Sequence, residues 1–273
     1  MTRRLAAVAA VAFLPALAAL LGGCASALKP LEPDSDLAQA DPSRADPAAA
    51  AELAAAAEQR FEERPDFAAV RAAEELWLRS ALADARGTTG VIGLSRARTW
   101  LAHNLENPEE RREMASEAVK AAQWCGEREP ENRDCPYWLA LAVGVQAEQR
   151  RGTALDGLDV IVDLLHQAIV NHEDLDYAGP RRVLALVLLR APGWPSGPGD
   201  PDEGLEHARR AVELFPEFPA NLLALAEAYA GVEDSATSRV HYRQALRAAI
   251  AWRERGHPDA EEWVSEAEAA LGR

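Results

Sequence analysis

The sequence is poor in aromatic residues, at 6%, and its β-branched residues never gather into alternating runs. That argues against sheet architectures, whose strands need such residues at a period of two. Positive charge is scarce too: 29 Lys and Arg stand against 44 Asp and Glu, a formal net charge of -15. A body that acidic is repelled by phosphate backbones, so nucleic acid is disfavoured as a partner, and electrostatics alone would not hold it on an anionic bilayer. The longest apolar run, Leu5 to Leu21, falls short of the ~20 residues of a spanning helix and contains Pro15. Cysteine is limited to Cys24, Cys125 and Cys135. What remains in quantity is Ala, Leu, Glu and Arg, the composition of helices, with a 48% hydrophobic share that is ample for a core.

Met1 to Arg4 is basic, the apolar run follows, and no stop-transfer charges succeed it, which is the pattern of a signal peptide. Its end, Leu21-Gly22-Gly23-Cys24, resembles the lipobox of bacterial lipoproteins, in which a small residue precedes the cysteine that becomes acylated. The alternative is an ordinary signal peptide cleaved near Ala25 or Ala27. The lipobox reading makes residues 1–23 a signal peptide and Cys24 the lipidation site. A single acyl chain holds a protein marginally, at ~0.8 kcal/mol per buried methylene. The resemblance implies two or three chains, hence lasting attachment to a bilayer, and Ala25 after the cysteine favours the outer membrane, periplasmic face. Loss of Arg3 and Arg4 with the signal leaves a charge of -17. Residues 24–46, rich in Pro, Asp and Ser after Cys24, read as a disordered tether with a reach on the order of 25 Å. Residues 47–273 form the helical domain.

Within that domain the spacing follows the tetratricopeptide (TPR) repeat, in which helix pairs carry W-x2-L-G-x2-Y on the first helix and small residues on the second. First helices are marked by Trp138-x2-Leu141-Ala142-x2-Val145, Arg181-x2-Leu184-Ala185-x2-Leu188 and Leu222-x2-Leu225-Ala226-x2-Tyr229. Second helices answer at Ala115/Val119/Ala122, Ile161/Leu165/Ala168, Gly204/Ala208/Ala211 and Ser238/Tyr242/Ala245, and Pro216 closes the third of them. Ala142, Ala185 and Ala226 recur at 43 and 41 residues. A small residue there lets two helices approach, and no pair buries its apolar face alone, so the pairs must stack. Asn107-Pro108-Glu109-Glu110 and Asp200-Pro201-Asp202-Glu203 read as helix starts, each a cap followed by proline and acids. Ala48–Arg64 with Phe67–Ala85 reads as a degenerate first pair, Thr89–Asn104 opens the second, and Pro258–Leu271 caps the stack. The expected fold is all-α: a TPR-like solenoid of about five helix pairs plus a C-terminal capping helix.

From Tyr177-Ala178-Gly179-Pro180-Arg181-Arg182 through Ala191-Pro192-Gly193-Trp194-Pro195 and Gly199-Asp200-Pro201 to Pro216, the chain resembles the T-component lipoproteins of TRAP (tripartite ATP-independent periplasmic) transporters. The resemblance spans about Arg111 to Ala249, with Ala178 standing where that family commonly has glycine. It implies a periplasmic helical lipoprotein, a homotrimer, that docks the solute-binding protein of the uptake system and holds a small apolar organic ligand in a pore. The alternative is an envelope scaffold whose concave face grips protein partners.

Candidate sites follow. Trp194 and Pro195 sit in a Pro/Gly loop, Ala191 to Asp200, where Trp194 either anchors a ligand or partner or packs back over the gap between its own helices. Tyr177, Gly179 and Pro180 are either a pore rim or a turn with a packed tyrosine. Cys125 and Cys135 flank a helix-to-helix turn and are expected to form a disulfide. No histidine lies at ligand spacing near them, and neither a metal nor a cofactor is expected. Gly93-Leu94-Ser95-Arg96-Ala97 mimics a nucleophile elbow without the strand that motif needs, and the glycines around Trp194 lack phosphate-loop spacing. No enzyme activity is expected.

Overall fold

The computed structural model describes residues 35–149 and 154–272; the signal segment, Cys24 and the beginning of the tether lie outside them. A short helix α1 (Ser35–Ala38) and a 3₁₀ turn (Pro42–Arg44) precede five helix pairs. The pairs are α2 (Pro47–Phe61) with α3 (Phe67–Ala83), α4 (Thr89–Asn104) with α5 (Pro108–Arg128), α6 (Cys135–Gln149) with α7 (Ala154–His172), α8 (Leu175–Arg190) with α9 (Pro201–Leu214), and α10 (Pro219–Gly231) with α11 (Ser235–Glu254). Helix α12 (Ala260–Leu271) caps the array. Among the described residues the only β pairing is an isolated bridge between Gly193 and Gly199, and no helix is long and apolar enough to cross a membrane.

Local sequence sets the helix starts. Side chains of Asp46, Asp66, Asn107, Asp200 and Asp234 accept hydrogen bonds from the first free backbone N–H groups of α2, α3, α5, α9 and α11. Proline stands in the first turn of α2, α5, α9 and α10, where its missing N–H costs nothing. One helix end is closed from a distance: Arg128 donates to the carbonyls of Ala81, Asp84 and Gly87 at 2.9–3.0 Å, satisfying the C-terminal end of α3.

Alanine makes the packing possible. Ala142, Ala185 and Ala226 are fully buried, as are Ala118, Ala168, Ala208 and Ala245 on the second helices. A larger side chain at these positions would push the pair apart, at a cost of about 1–3 kcal/mol. Glycine takes over where α3 and α4 come closer still: a Cβ on Gly90 would meet the backbone of Ala81, and one on Gly93 would run into the ring of Trp77. The elbow-like stretch around Ser95 is therefore helix interior, and the Ser95 hydroxyl donates to the Ala118 carbonyl at 3.0 Å.

Two contacts tie residues of the 24–46 segment to the body. Leu37 is 2% exposed and belongs to the core cluster of Phe61, Trp77 and Leu101, and the Asp46 N–H donates to the Ala83 carbonyl at 2.8 Å. Between these two points residues 38–46 are mostly exposed. Cys125 and Cys135 are joined by a disulfide, Cα atoms 5.5 Å apart, which ties the end of α5 to the start of α6. Closing so short a loop stabilises by about 2–3 kcal/mol on chain-entropy grounds.

Candidate functional site

The first helices of the pairs face inward. A cavity of about 520 Å³ is walled by Trp100 of α4, Trp138 and Leu141 of α6, Leu186 of α8, Phe218 just ahead of α10, and Trp263 of α12. A second space of about 700 Å³ opens between α2, α3 and α4, and Arg96 and Trp138 line both. The array bends far enough for its ends to meet. Arg64, after α2, pairs with both carboxylate oxygens of Asp259, before α12, at 3.0 and 3.2 Å, and its guanidinium lies 3.9 Å over the Phe61 ring. The concave face is thus walled on the open side of the superhelix as well.

The charges in this cavity are mostly settled internally. Arg96 takes both oxygens of Glu58 at 2.8 and 3.0 Å, Arg190 both of Glu227 at 2.7 Å, Arg182 one of Asp176 at 2.9 Å, and Arg64 holds Asp259. Every arginine on the wall is therefore neutralised by a carboxylate of the protein. Glu262 and Glu266, one turn apart on α12, have no ion-pair partner among the described residues. Burial first, and Glu227 second, push the Glu266 carboxyl above its ordinary value. The Glu148 carboxylate, accepting from the His103 imidazole, chiefly holds His103 above the usual imidazole value. An anionic ligand finds no spare cation on this wall; aromatic and aliphatic surface is what it offers.

One end of the wall is an irregular turn. Asp176, Tyr177 and Ala178 all adopt left-handed backbone angles, with φ of 51, 55 and 61°, at the start of α8. Three successive non-glycine residues there cost roughly 1–2 kcal/mol each, so their surroundings must hold them. The Tyr137 hydroxyl, fully buried and pushed well above its ordinary pKa by burial and then by Asp176, donates to Asp176 at 2.5 Å. Arg182 donates to the carbonyls of Asp176 and Tyr177, and the fully buried Asn221 donates to Tyr177 at 3.0 Å and to Ala211 at 3.1 Å.

This turn decides three of the candidate residues. Tyr177 is not on the cavity wall: its ring stacks on Phe218, centroids 4.4 Å apart, with its edge environment made by Phe215 and Trp252. Gly179 and Pro180 are buried. Gly179 is glycine because a Cβ would collide with the Tyr137 hydroxyl. Asp176 and Arg182 stand at the wall in their place. Trp194 behaves in the opposite way: it is 90% exposed and does not fold back over its helices. Its loop is nonetheless ordered by Gly199 N–H to Pro192 carbonyl (2.8 Å), Asp200 N–H to Leu188 carbonyl (3.0 Å), and a Gly199 that admits no Cβ against Ala191. Trp194 and Pro195 are thus presented to solvent on a fixed support. Beside them Ala191 and Pro192 border an apolar groove of about 610 Å³ lined by Leu141, Val145, Ile161 and Val187.

Two arrangements escaped the sequence reading. The left-handed turn depends on Asn221, 44 residues from the carbonyl it holds. His166 and His207 approach one another with Glu203 between them. They stand 41 residues apart, two short of the 43 that relates α7 to α9 (Leu165 to Ala208), so repeat equivalence gave no signal for them.

No protein-family model and no curated protein matches the chain. Among solved structures it is similar to TTC0263, a thermophilic TPR protein of Thermus thermophilus, at 18% identity and a TM-score of 0.61, over 82% of this chain and 100% of that one. MamA is matched at 14% identity and a TM-score of 0.44, over 74% and 92% of the two chains. YrrB, described as a TPR protein with an unusual peptide-binding site, is matched at 17% and 0.38, over 73% and 93%. The likeness to the Thermus protein is one of fold, and it agrees with the repeat spacing: the chain is an all-helical, TPR-like helix-pair solenoid.

Proposed function

We propose that the protein is a membrane-anchored lipoprotein of a TRAP-type uptake system, which docks a solute-binding protein and holds a small apolar organic ligand in its concave cavity. The observation that carries the ligand is the wall itself: Trp100, Trp138, Phe218 and Trp263 converge while all four wall arginines are paired. A space of about 520 Å³ is in the range of small-molecule sites. The anchor rests on the lipobox-like Leu21 to Cys24, and the homotrimer and the solute-binding partner rest on the T-component resemblance.

The test is native mass spectrometry of the full chain extracted in detergent. A trimer retaining a neutral small molecule, with occupancy lowered by Trp100→Ala, is expected. A preparation that retains nothing and ignores added apolar compounds would remove the ligand half of the proposal. Fractionation tests the anchor: Cys24→Ala should move the protein from the membrane to the soluble fraction. The second reading, an envelope scaffold for protein assembly, draws on Trp194, an exposed rigid aromatic of the kind that anchors protein interfaces. Capture of assembly proteins, with no binding of a co-encoded solute-binding protein, would favour it.

A further inference from the structure

His166 lies on α7, and Glu203 and His207 lie one helical turn apart on α9. The spacing of four puts Glu203 and His207 on one face. The α7 histidine reaches that face from the neighbouring second helix of the stack. Glu203 Oε1 is 4.0 Å from His166 Nε2 and 3.7 Å from His207 Nε2, and one ligand atom from each of the three residues lies within 4.8 Å of the others. From this geometry we propose that His166, Glu203 and His207 bind a divalent transition-metal ion, with zinc as the fitting probe.

The donor set selects the ion. Two imidazoles and one carboxylate suit zinc and its neighbours, whereas calcium and magnesium take oxygen ligands. Bonds of about 2.0–2.1 Å in a tetrahedron place ligand atoms about 3.3–3.4 Å apart. Closing the present set therefore takes shifts of well under 1 Å in each carboxylate–imidazole distance. His166 and Glu203 can make them, since their side chains are 48% and 46% exposed; His207, at 11%, is the fixed member. The fourth position stays open to water. The ion would join the second helices of the third and fourth pairs on the face away from the cavity, so the site is independent of the ligand proposed above.

Arg181 works against the ion. Its Nη1 donates to His207 Nδ1 at 3.0 Å, and a guanidinium can only donate, so Nδ1 carries the lone pair and Nε2 the hydrogen. Metal at Nε2 requires that hydrogen to move to Nδ1 through solvent, with no net proton released. The new Nδ1–H then faces Arg181, which must withdraw. It has somewhere to go, because its Nε and Nη2 already hold Glu173 at 2.9 and 2.8 Å. Removing the guanidinium should therefore strengthen the site, an effect that adventitious surface histidines would not show.

The experiment is a titration of the metal-free full-length protein in detergent with Zn2+ by calorimetry, and with Co2+ by visible absorption. One ion per chain is expected, with a tetrahedral cobalt spectrum. His166→Ala, exposed enough to leave the fold intact, should weaken binding by more than roughly 100-fold. Arg181→Met should tighten it by roughly tenfold, the scale of effects around metal ligands. His172→Ala, whose imidazole is engaged by Asp134, should change nothing. The proposal is overturned if no saturable binding occurs up to about 100 µM, if His166→Ala leaves the affinity unchanged, or if His172→Ala abolishes it.

Discussion

Asn221→Ala should loosen the wall of the cavity and the fold together. The Asn221 side chain is fully buried; its amide donates to the carbonyls of Tyr177 and Ala211, and its oxygen accepts from Arg182 Nη1 at 3.0 Å. Each such bond contributes about 0.5–1.5 kcal/mol net. No partner is wholly orphaned by the loss: Tyr177 keeps Arg182 at 3.3 Å, Ala211 keeps the Phe215 N–H at 3.0 Å, and Arg182 keeps Asp176. The sum is therefore about 2–3 kcal/mol, below the figure for stranding a buried charge. For a domain of this size that corresponds to a fall in Tm of about 5–10 °C. Urea unfolding followed by tryptophan fluorescence measures it, and Trp252, which meets Tyr177 edge-on, should report the freed turn in the native baseline. Asn104→Ala, which removes an exposed side-chain bond to its own helix, serves as control and should stay within about 0.5 kcal/mol. If Asn221→Ala costs no more than that control, the left-handed turn is held by something other than Asn221 and the reasoning fails.

Three further outcomes follow from the same structure. Glu233 sits exposed at φ 63° just past the end of α10, so Glu233→Gly should raise stability by roughly 0.5–1 kcal/mol in urea unfolding; a loss would show that the side chain matters more than the backbone. Arg64→Ala and Asp259→Ala, alone and combined, should give a coupling of about 1–3 kcal/mol, because Arg64 is 7% exposed and its pairing closes the array end to end; a coupling under about 0.3 kcal/mol would mean the ends do not meet in solution. His103 should titrate above its ordinary 6.5 by NMR, and Glu148→Gln should bring it back. Because the folded-state value is raised, this pairing stabilises fully below the unfolded value and is lost as pH rises through the folded one; an unmoved His103 titration in the variant would contradict it.

What could be read from the sequence, and what could not, divides along the range of the forces involved. Helix starts were legible because Asn107 and Asp200 act within three residues of themselves, and the five pairs were legible because Ala142, Ala185 and Ala226 repeat at an interval set by stacking. Leu37 was not, since a single leucine in a Pro- and Asp-rich stretch gives no periodicity, and only the waiting core of Phe61 and Trp77 makes it an anchor. The turn at Asp176 to Ala178 goes against local preference and exists through Tyr137, Arg182 and Asn221, each drawn from elsewhere in the stack. That is why Gly179 and Pro180 are buried and Tyr177 packs on Phe218 while staying partly exposed, and Asp176 and Arg182 reach the wall. Trp194 illustrates the converse. Its loop is fixed by bonds within residues 188–200, so its order is local, but its exposure was undecidable without knowing that the gap between its helices is filled by Leu189 packed on Gly204 and Gly231. In a solenoid, stacking brings second-helix side chains of successive pairs, such as His166 and His207, side by side although they are not equivalent positions of the repeat. The chemistry of such a molecule is therefore to be sought between neighbouring helices of the stack as much as within any single motif.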